Sequence, residues 1–309
     1  MHQSKFSLAD LLTVLGALGF GFFCFLSFNF LTFGDITTSL LWAVAIAVVL
    51  GGLAFGAKLF KRTSIEFKTC ILLEWASLFL FVVVSLIAIR PFAHFFTVSA
   101  QKVAIQEKVA ANITQAEGLF VAYEEYANKR IFMYQNLLKS VAANKGVNPT
   151  QYEKYFTDNA SDPNTQIPIK IFKMSSQLFP SNYEQMNQVD SIWLIEAKSI
   201  IKNWSPIGIV TVLNSVKKEV TSWKDVLVTY SRYTAPGEGE KIDVFPYDLY
   251  FDDVKPEFIN LKSPTIFSIC IAIGFYLLML FSYFITKRHT RYPGLKSIFG
   301  NTGVQEGEL

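Results

Sequence analysis

The sequence predicts an all-α integral membrane protein: four transmembrane helices, with an elongated, mainly helical extracytoplasmic domain between the third and the fourth. Three observations carry this. Of 309 residues, 51% are hydrophobic and only 17% charged, against about 25% charge in an ordinary soluble domain. The apolar residues gather into four long runs, each sufficient for the ~20 residues that cross a bilayer as a helix. Between the third and fourth runs, apolar residues recur at helical rather than strand spacing.

The first span, about residues 8–33, rests on the 24 uncharged residues between Asp10 and Asp35. Its apolar stretch is longer than the 7–15 residues of a signal-peptide core and no small-residue cleavage site follows, so an uncleaved anchor is expected. The second, about 36–58, has 22 uncharged residues between Asp35 and Lys58. The third, about 69–96, is interrupted by Glu74 and Arg90 but otherwise continuously apolar. The fourth, 263–286, lies between Lys262 and Lys287, again with 24 uncharged residues. A short tail, 287–309, follows.

Lys and Arg flank these runs unevenly. Lys5 precedes span one, Lys58, Lys61, Arg62 and Lys68 fall between spans two and three, and Lys287, Arg288, Arg291 and Lys296 follow span four. The loop between spans one and two has no Lys or Arg. The positive-inside bias then predicts cytoplasmic termini, with residues 97–262 periplasmic or extracellular. Cys24, Cys70 and Cys270 all lie in spans, leaving the exported domain without cysteine. That favours a bacterial inner membrane over a disulfide-linked eukaryotic ectodomain.

Within the exported domain, residues 98–144 contain no proline, and Ile113, Phe120, Ala127, Tyr134 and Val141 recur every seven residues, with Val109, Ala116, Tyr123 and Leu137 as companions. A long helix is expected, with Gly118 as a point of interruption and Gly146 and Pro149 as its stop. Residues 157–182, rich in Asn, Asp, Ser and Pro, read as a long connection with one short strand at 167–172. A second helix is predicted over 183–204, with Met186, Val189, Trp193, Ala197, Ile200 and Trp204 on one face. A third, over 207–233, carries Ile209, Leu213, Val216, Val220, Trp223, Leu227 and Tyr230. Three helices with one apolar face each bury them together as a bundle. Residues 234–263 read as a turn-rich return, with a weak strand pattern at 243–251.

Motifs for chemistry are sparse. Only His2, His94 and His289 occur, on opposite sides of the predicted membrane, so no metal centre is expected. No catalytic residue and no cofactor are expected, because hydrolase-elbow, phosphate-loop and dinucleotide motifs are missing. Ser99/Lys102 and Ser215/Lys218 have Ser-Lys spacing without companion motifs. Asn112, Asn159 and Asn203 stand in glycosylation tripeptides, which matter only in a glycosylating host. Asp248, Asp252, Asp253 and Glu257 form an acidic turn without the spacing of a calcium loop. Residues 97–262 hold 18 Lys and Arg against 19 Asp and Glu, a balance that gives a nucleic-acid partner no support.

The expected function is therefore a non-enzymatic multi-pass inner-membrane subunit, a scaffold or sensor of an envelope protein complex. Its partners are the lipid bilayer and other membrane or envelope proteins, a second copy of the chain included. Phe120, Tyr123, Tyr126 and Arg130 are the expected partner-binding surface, although an Arg130 that pairs with a glutamate is the simpler reading of that side chain. Gly51, Gly52 and Gly56 are expected to pack helices closely in lipid. Glu74, about 9 Å of helix rise inside the membrane from Lys68, is the candidate ion or proton site of an alternative, a channel or transporter component; its plainer reading is a carboxylate reaching toward Lys58, Lys61 or Arg62.

Overall fold

A computed structural model describes residues 7–63, 67–156, 162–238, 244–248 and 253–288. His2, Lys5, Asn159, Asp252, His289, Arg291 and Lys296 lie outside the described residues. All regular structure among the described residues is helical. The chain divides into two compact units: Met1–Val103 with Lys255–Leu309, and Ala104–Val254.

The first unit holds α1 (Leu8–Leu31), α2 (Ile36–Arg62), α3 (Phe67–Ala100), a short α9 (Lys255–Ile259) and α10 (Ile266–Ile285). Four of these are long and apolar enough to cross a membrane. Each of three begins on a side-chain cap that satisfies a free backbone N–H: Ser7 with Asp10 in a reciprocal box on α1, Asp35 on α2 and Thr265 on α10. Small residues let α1 approach its neighbours closely. A Cβ on Gly16 would lie 3.2 Å from Met279 of α10, and one on Gly21 would lie 2.9 Å from the Cβ of Ala47 of α2.

Aromatic rings fill the interior of this bundle. Phe20 stacks on Phe92 with centroids 4.5 Å apart, and Phe23, Phe96, Phe275 and Tyr276 pack around them. Edge and offset ring contacts of this kind add to the burial itself. The seam of α3 reads Ile71, Glu74, Phe81, Ser85, Ala88 and Phe92, all buried, so Glu74 lies on the face turned inward. His94 is buried too, with its Nε2 2.7 Å from the carbonyl oxygen of Phe258 in α9.

The second unit comprises most of α4 (Lys102–Ala143), then α5 (Pro149–Tyr155), α6 (Pro163–Leu178), α7 (Tyr183–Asn203) and α8 (Gly208–Ser231). The α4 stripe is inward as expected: Val109, Ile113, Ala116, Phe120, Tyr123, Ala127, Tyr134 and Val141 are buried, whereas Leu137 gives way to Leu138. Gly118 does not interrupt the helix; the break falls at Gln101, between α3 and α4. On α8, Ile209, Leu213, Val216, Val220, Trp223 and Leu227 are buried, again as expected.

Three expectations for this unit are corrected. Residues 167–172 form no strand but the middle of α6. Asp162 caps the Asn164 amide and Pro163 occupies the first turn, a helix start in which proline loses no needed donor. Ile167, Met174 and Leu178 then face inward. Pro149 is likewise the first residue of α5, capped by Asn148, and not merely the end of α4. On α7, the inward face is Tyr183, Asp190, Leu194, Ala197 and Ile201, rotated by about one residue from the predicted stripe. Val189, predicted inward, is 58% exposed. Residues 244–248 are irregular, and the remainder of the weak strand pattern at 243–251 lies outside the described residues.

Candidate functional site

The residues singled out by sequence fall in three places. The first is one end of the membrane-type bundle, where the start of α1, the end of α2, the start of α3 and the end of α10 bring charges inward. Lys58 of α2 forms an ion pair with Asp10 of α1, and the Ser282 hydroxyl of α10 donates to the same carboxylate at 2.6 Å. Asp10 and Lys58 are both buried. Beside them, Glu74 is 1% exposed. Its Oε1 accepts from the Arg288 guanidinium at 2.7 Å and from the Tyr283 hydroxyl at 2.7 Å. Lys61 donates to the Tyr283 carbonyl oxygen at 2.9 Å and stands over that ring, 4.2 Å from its centroid.

Glu74 thus takes Arg288 as its partner, not Lys58, which Asp10 claims. The sequence alone offers no signal for either pair: Asp10 and Lys58 lie at the edges of uncharged runs, and Glu74 and Arg288 are 214 residues apart. A buried pair is kept because removing either member leaves a charge in a poor solvent. Among the described residues, Glu74 Oε2 has no hydrogen-bond partner. Of the glycines, Gly51 approaches Ala17 and Gly56 lies near Ser77, whereas nothing lies within 4 Å of a Cβ placed on Gly52. A Cβ would thus meet a tight contact at Gly51 (3.2 Å), only an ordinary one at Gly56 (3.8–3.9 Å) and open space at Gly52.

The second place is the interior of the α4–α8 unit, and it corrects the expected partner surface. Phe120 and Tyr123 are buried, 4% and 0% exposed. Phe120 packs against Tyr183 and Trp223, and Tyr123 against Phe179 and Phe245. Tyr126, half-buried, receives a hydrogen bond from Arg130 Nη1 at 3.2 Å. Arg130 closes the end of the unit: it bonds the Glu238 carboxylate at 2.7–2.9 Å, the Ser231 carbonyl at 2.6 Å and the Tyr233 carbonyl at 2.7 Å. These side chains form core and clamp, because the aromatic stretch that made them conspicuous lies along the buried seam of α4. The clamp closes a tight turn in which Gly237 adopts φ +82° against the Tyr155 ring, a conformation glycine accepts readily.

Asp253 of the acidic turn accepts from the Asn112 amide at 3.0 Å, and the Asp248 carbonyl from Gln115 at 2.7 Å. Asn112 is accordingly buried. Ser215 and Lys218 are exposed on α8.

The third place is one that the sequence reading turned the wrong way. Val189, Ile192 and Ile195 of α7 are 58–70% exposed, and Ile169 and Phe172 of α6 are 63% and 75% exposed. Single exposed apolar residues are ordinary; two neighbouring turns of α7 carrying three large aliphatic side chains form an apolar ridge of the kind found where proteins bind. On the opposite face of α7, Asp190 is 5% exposed and its Oδ2 has no hydrogen-bond partner among the described residues. Burial, with the Glu219 carboxylate of α8 nearby, pushes its carboxyl up to about 7.

Four helices of membrane-spanning length and composition, with a second unit whose regular structure among the described residues is all helical, place this chain among helical proteins of membrane type. Comparison with protein-family models, with curated proteins and with solved structures gives no match.

Proposed function

We propose that this protein is a non-enzymatic subunit of the bacterial inner membrane, a scaffold or sensor whose α4–α8 unit, outside the cytoplasm, binds a protein of the envelope. The observation that carries this reading is the apolar ridge of α7, Val189, Ile192 and Ile195, at 58%, 70% and 64% exposure. Burying such aliphatic groups against a partner removes apolar area from water at about 25 cal/mol per Å². The uneven placement of Lys and Arg supports the orientation. The ring-filled interior of the bundle supports an anchor.

A second reading, a channel or transporter component gated at Glu74, draws on the unbonded Oε2 of that residue. The ion pair with Arg288 and the mutually packed rings of Phe20, Phe92 and Phe275 inside the bundle count against it. Loss of ion or solute flux in Glu74→Gln, with assembly intact, would favour it.

The proposal is tested by purification from native membranes in mild detergent. The wild-type chain is expected to bring down a foreign protein in fixed ratio. Ile192→Glu with Ile195→Glu is expected to reduce that protein at least tenfold while the purified chain keeps its yield and helical circular dichroism. A partner retained undiminished by the folded double variant, or a wild-type particle containing this chain alone, would contradict the proposal.

A further inference from the structure

Asp190 stands where a heptad seam calls for an apolar side chain. Its neighbours along the buried face of α7 are Tyr183, Leu194, Ala197 and Ile201, and Trp193 of the same helix meets Trp223 of α8 edge to face at 5.7 Å. No Lys or Arg bonds the Asp190 carboxylate among the described residues, and Oδ2 is left without a donor. A buried carboxyl without a cation is accommodated by keeping its proton.

Lys217 and Lys224 of α8 are half-buried, and neither bonds Oδ2 of Asp190. On α8, Glu219 adds a like charge. On α4, Glu117 is held by Lys198 at 3.3 Å and Glu124 accepts from the Tyr183 hydroxyl at 3.4 Å, both on the side of α7 facing α4. Lys198 is thereby engaged with Glu117. The unit from Ala104 to Val254 has no histidine and no cysteine, the residues that ordinarily titrate near neutrality.

We propose that Asp190 is a proton-operated latch between α7 and α8: protonated, it lets the helices close along their seam, and ionised, it loosens α7, the helix that carries the exposed ridge. Burial and Glu219 place its titration at about pH 7. Because the folded-state value lies above the ordinary value of 3.8, its stabilisation is complete at low pH and is lost as pH rises toward 7. This gives the sensor reading of the previous section a signal, the proton concentration outside the cytoplasm, and rests on that reading only for its biological use.

The test reads α7 in the purified full-length chain with no partner present, so its failure would leave partner binding untouched, and failed partner capture would leave the latch untouched. Amide hydrogen exchange of residues 183–203, corrected for the intrinsic pH dependence of exchange, is followed from pH 5 to 9. Wild type is expected to lose about tenfold or more of its protection between pH 5 and 7, the ratio that one pKa unit represents, and to level off above about 7. Asp190→Asn, a neutral isostere, is expected to stay protected throughout, and Glu219→Gln to make the wild-type loss level off at lower pH. A wild-type profile flat across this range, or one that Asp190→Asn leaves unchanged, would overturn the proposal.

Discussion

Lys58→Met is expected to destabilise the membrane-type unit by about 3–5 kcal/mol, the usual cost of removing one member of a buried ion pair. Asp10 is 3% exposed and cannot turn to water. It keeps the hydroxyl of Ser282 and the cap of Ser7, but those are dipoles, and a carboxylate left with dipoles alone either stays charged at high energy or takes up a proton. The substitution also unties α1 from α2 at the end of the bundle where Glu74 and Arg288 tie α3 to the segment after α10. Thermal unfolding in detergent, followed by circular dichroism, measures the loss. The double variant Asp10→Asn, Lys58→Met should recover most of it, because an uncharged pair of similar volume has no desolvation cost to offset. Equal loss in the single and double variants would mean that shape, and not charge, matters at this position.

Arg130→Ala should have the second largest effect, and in the other unit. The guanidinium, with its side chain 10% exposed, donates to Tyr126, to the carbonyls of Ser231 and Tyr233, and to Glu238, itself 12% exposed. Truncation leaves two carbonyls and a carboxylate short of donors, a penalty of about 3 kcal/mol. For a unit of this size that corresponds to a fall in Tm of roughly 6–12 °C. Arg130→Lys should recover little, since a single ammonium cannot span the fork of acceptors. Partner capture below the lowered Tm should be unaffected; selective loss of capture with Tm unchanged would return Arg130 to the surface role its sequence position suggested.

Three of the four membrane-type helices are legible from charge spacing, since a run of more than 20 uncharged residues favours a helix that satisfies its own backbone in hydrocarbon; α3, interrupted by Glu74 and Arg90, is legible from its continuous apolar composition. The stripe of α8 is legible because its opposite face is polar, and that of α4 because its seven-residue repeat is long enough to outweigh the exposed Val103, Val121, Phe132 and Met133. On α7 both faces carry aliphatic side chains, Leu194, Ala197 and Ile201 on one and Val189, Ile192 and Ile195 on the other, so periodicity alone cannot choose between them. Tertiary packing chooses the face with Asp190, against the pattern. α6 is hidden by composition: Asn, Asp, Ser and Pro suggest a loop, whereas Asp162 and Pro163 are a cap and a first turn. The charged pairs are illegible for a different reason. Each joins residues 48 or 214 positions apart, and nothing in local sequence says which lysine or arginine a buried carboxylate will meet. The same local view made Phe120 and Tyr123 look like a binding surface, since a heptad seam and an aromatic patch read alike until the partner helices are known.

The proposed function requires the α4–α8 unit to lie across a membrane from both termini. A reporter active only outside the cytoplasm tests this directly when inserted at Gly146, an open turn where nothing lies within 4 Å of an added Cβ, and compared with the same reporter fused after Leu309. Activity at Gly146 and silence at the C-terminus are expected. Silence at Gly146 with activity at the C-terminus would invert the topology, and an envelope partner for α7 would have to be abandoned.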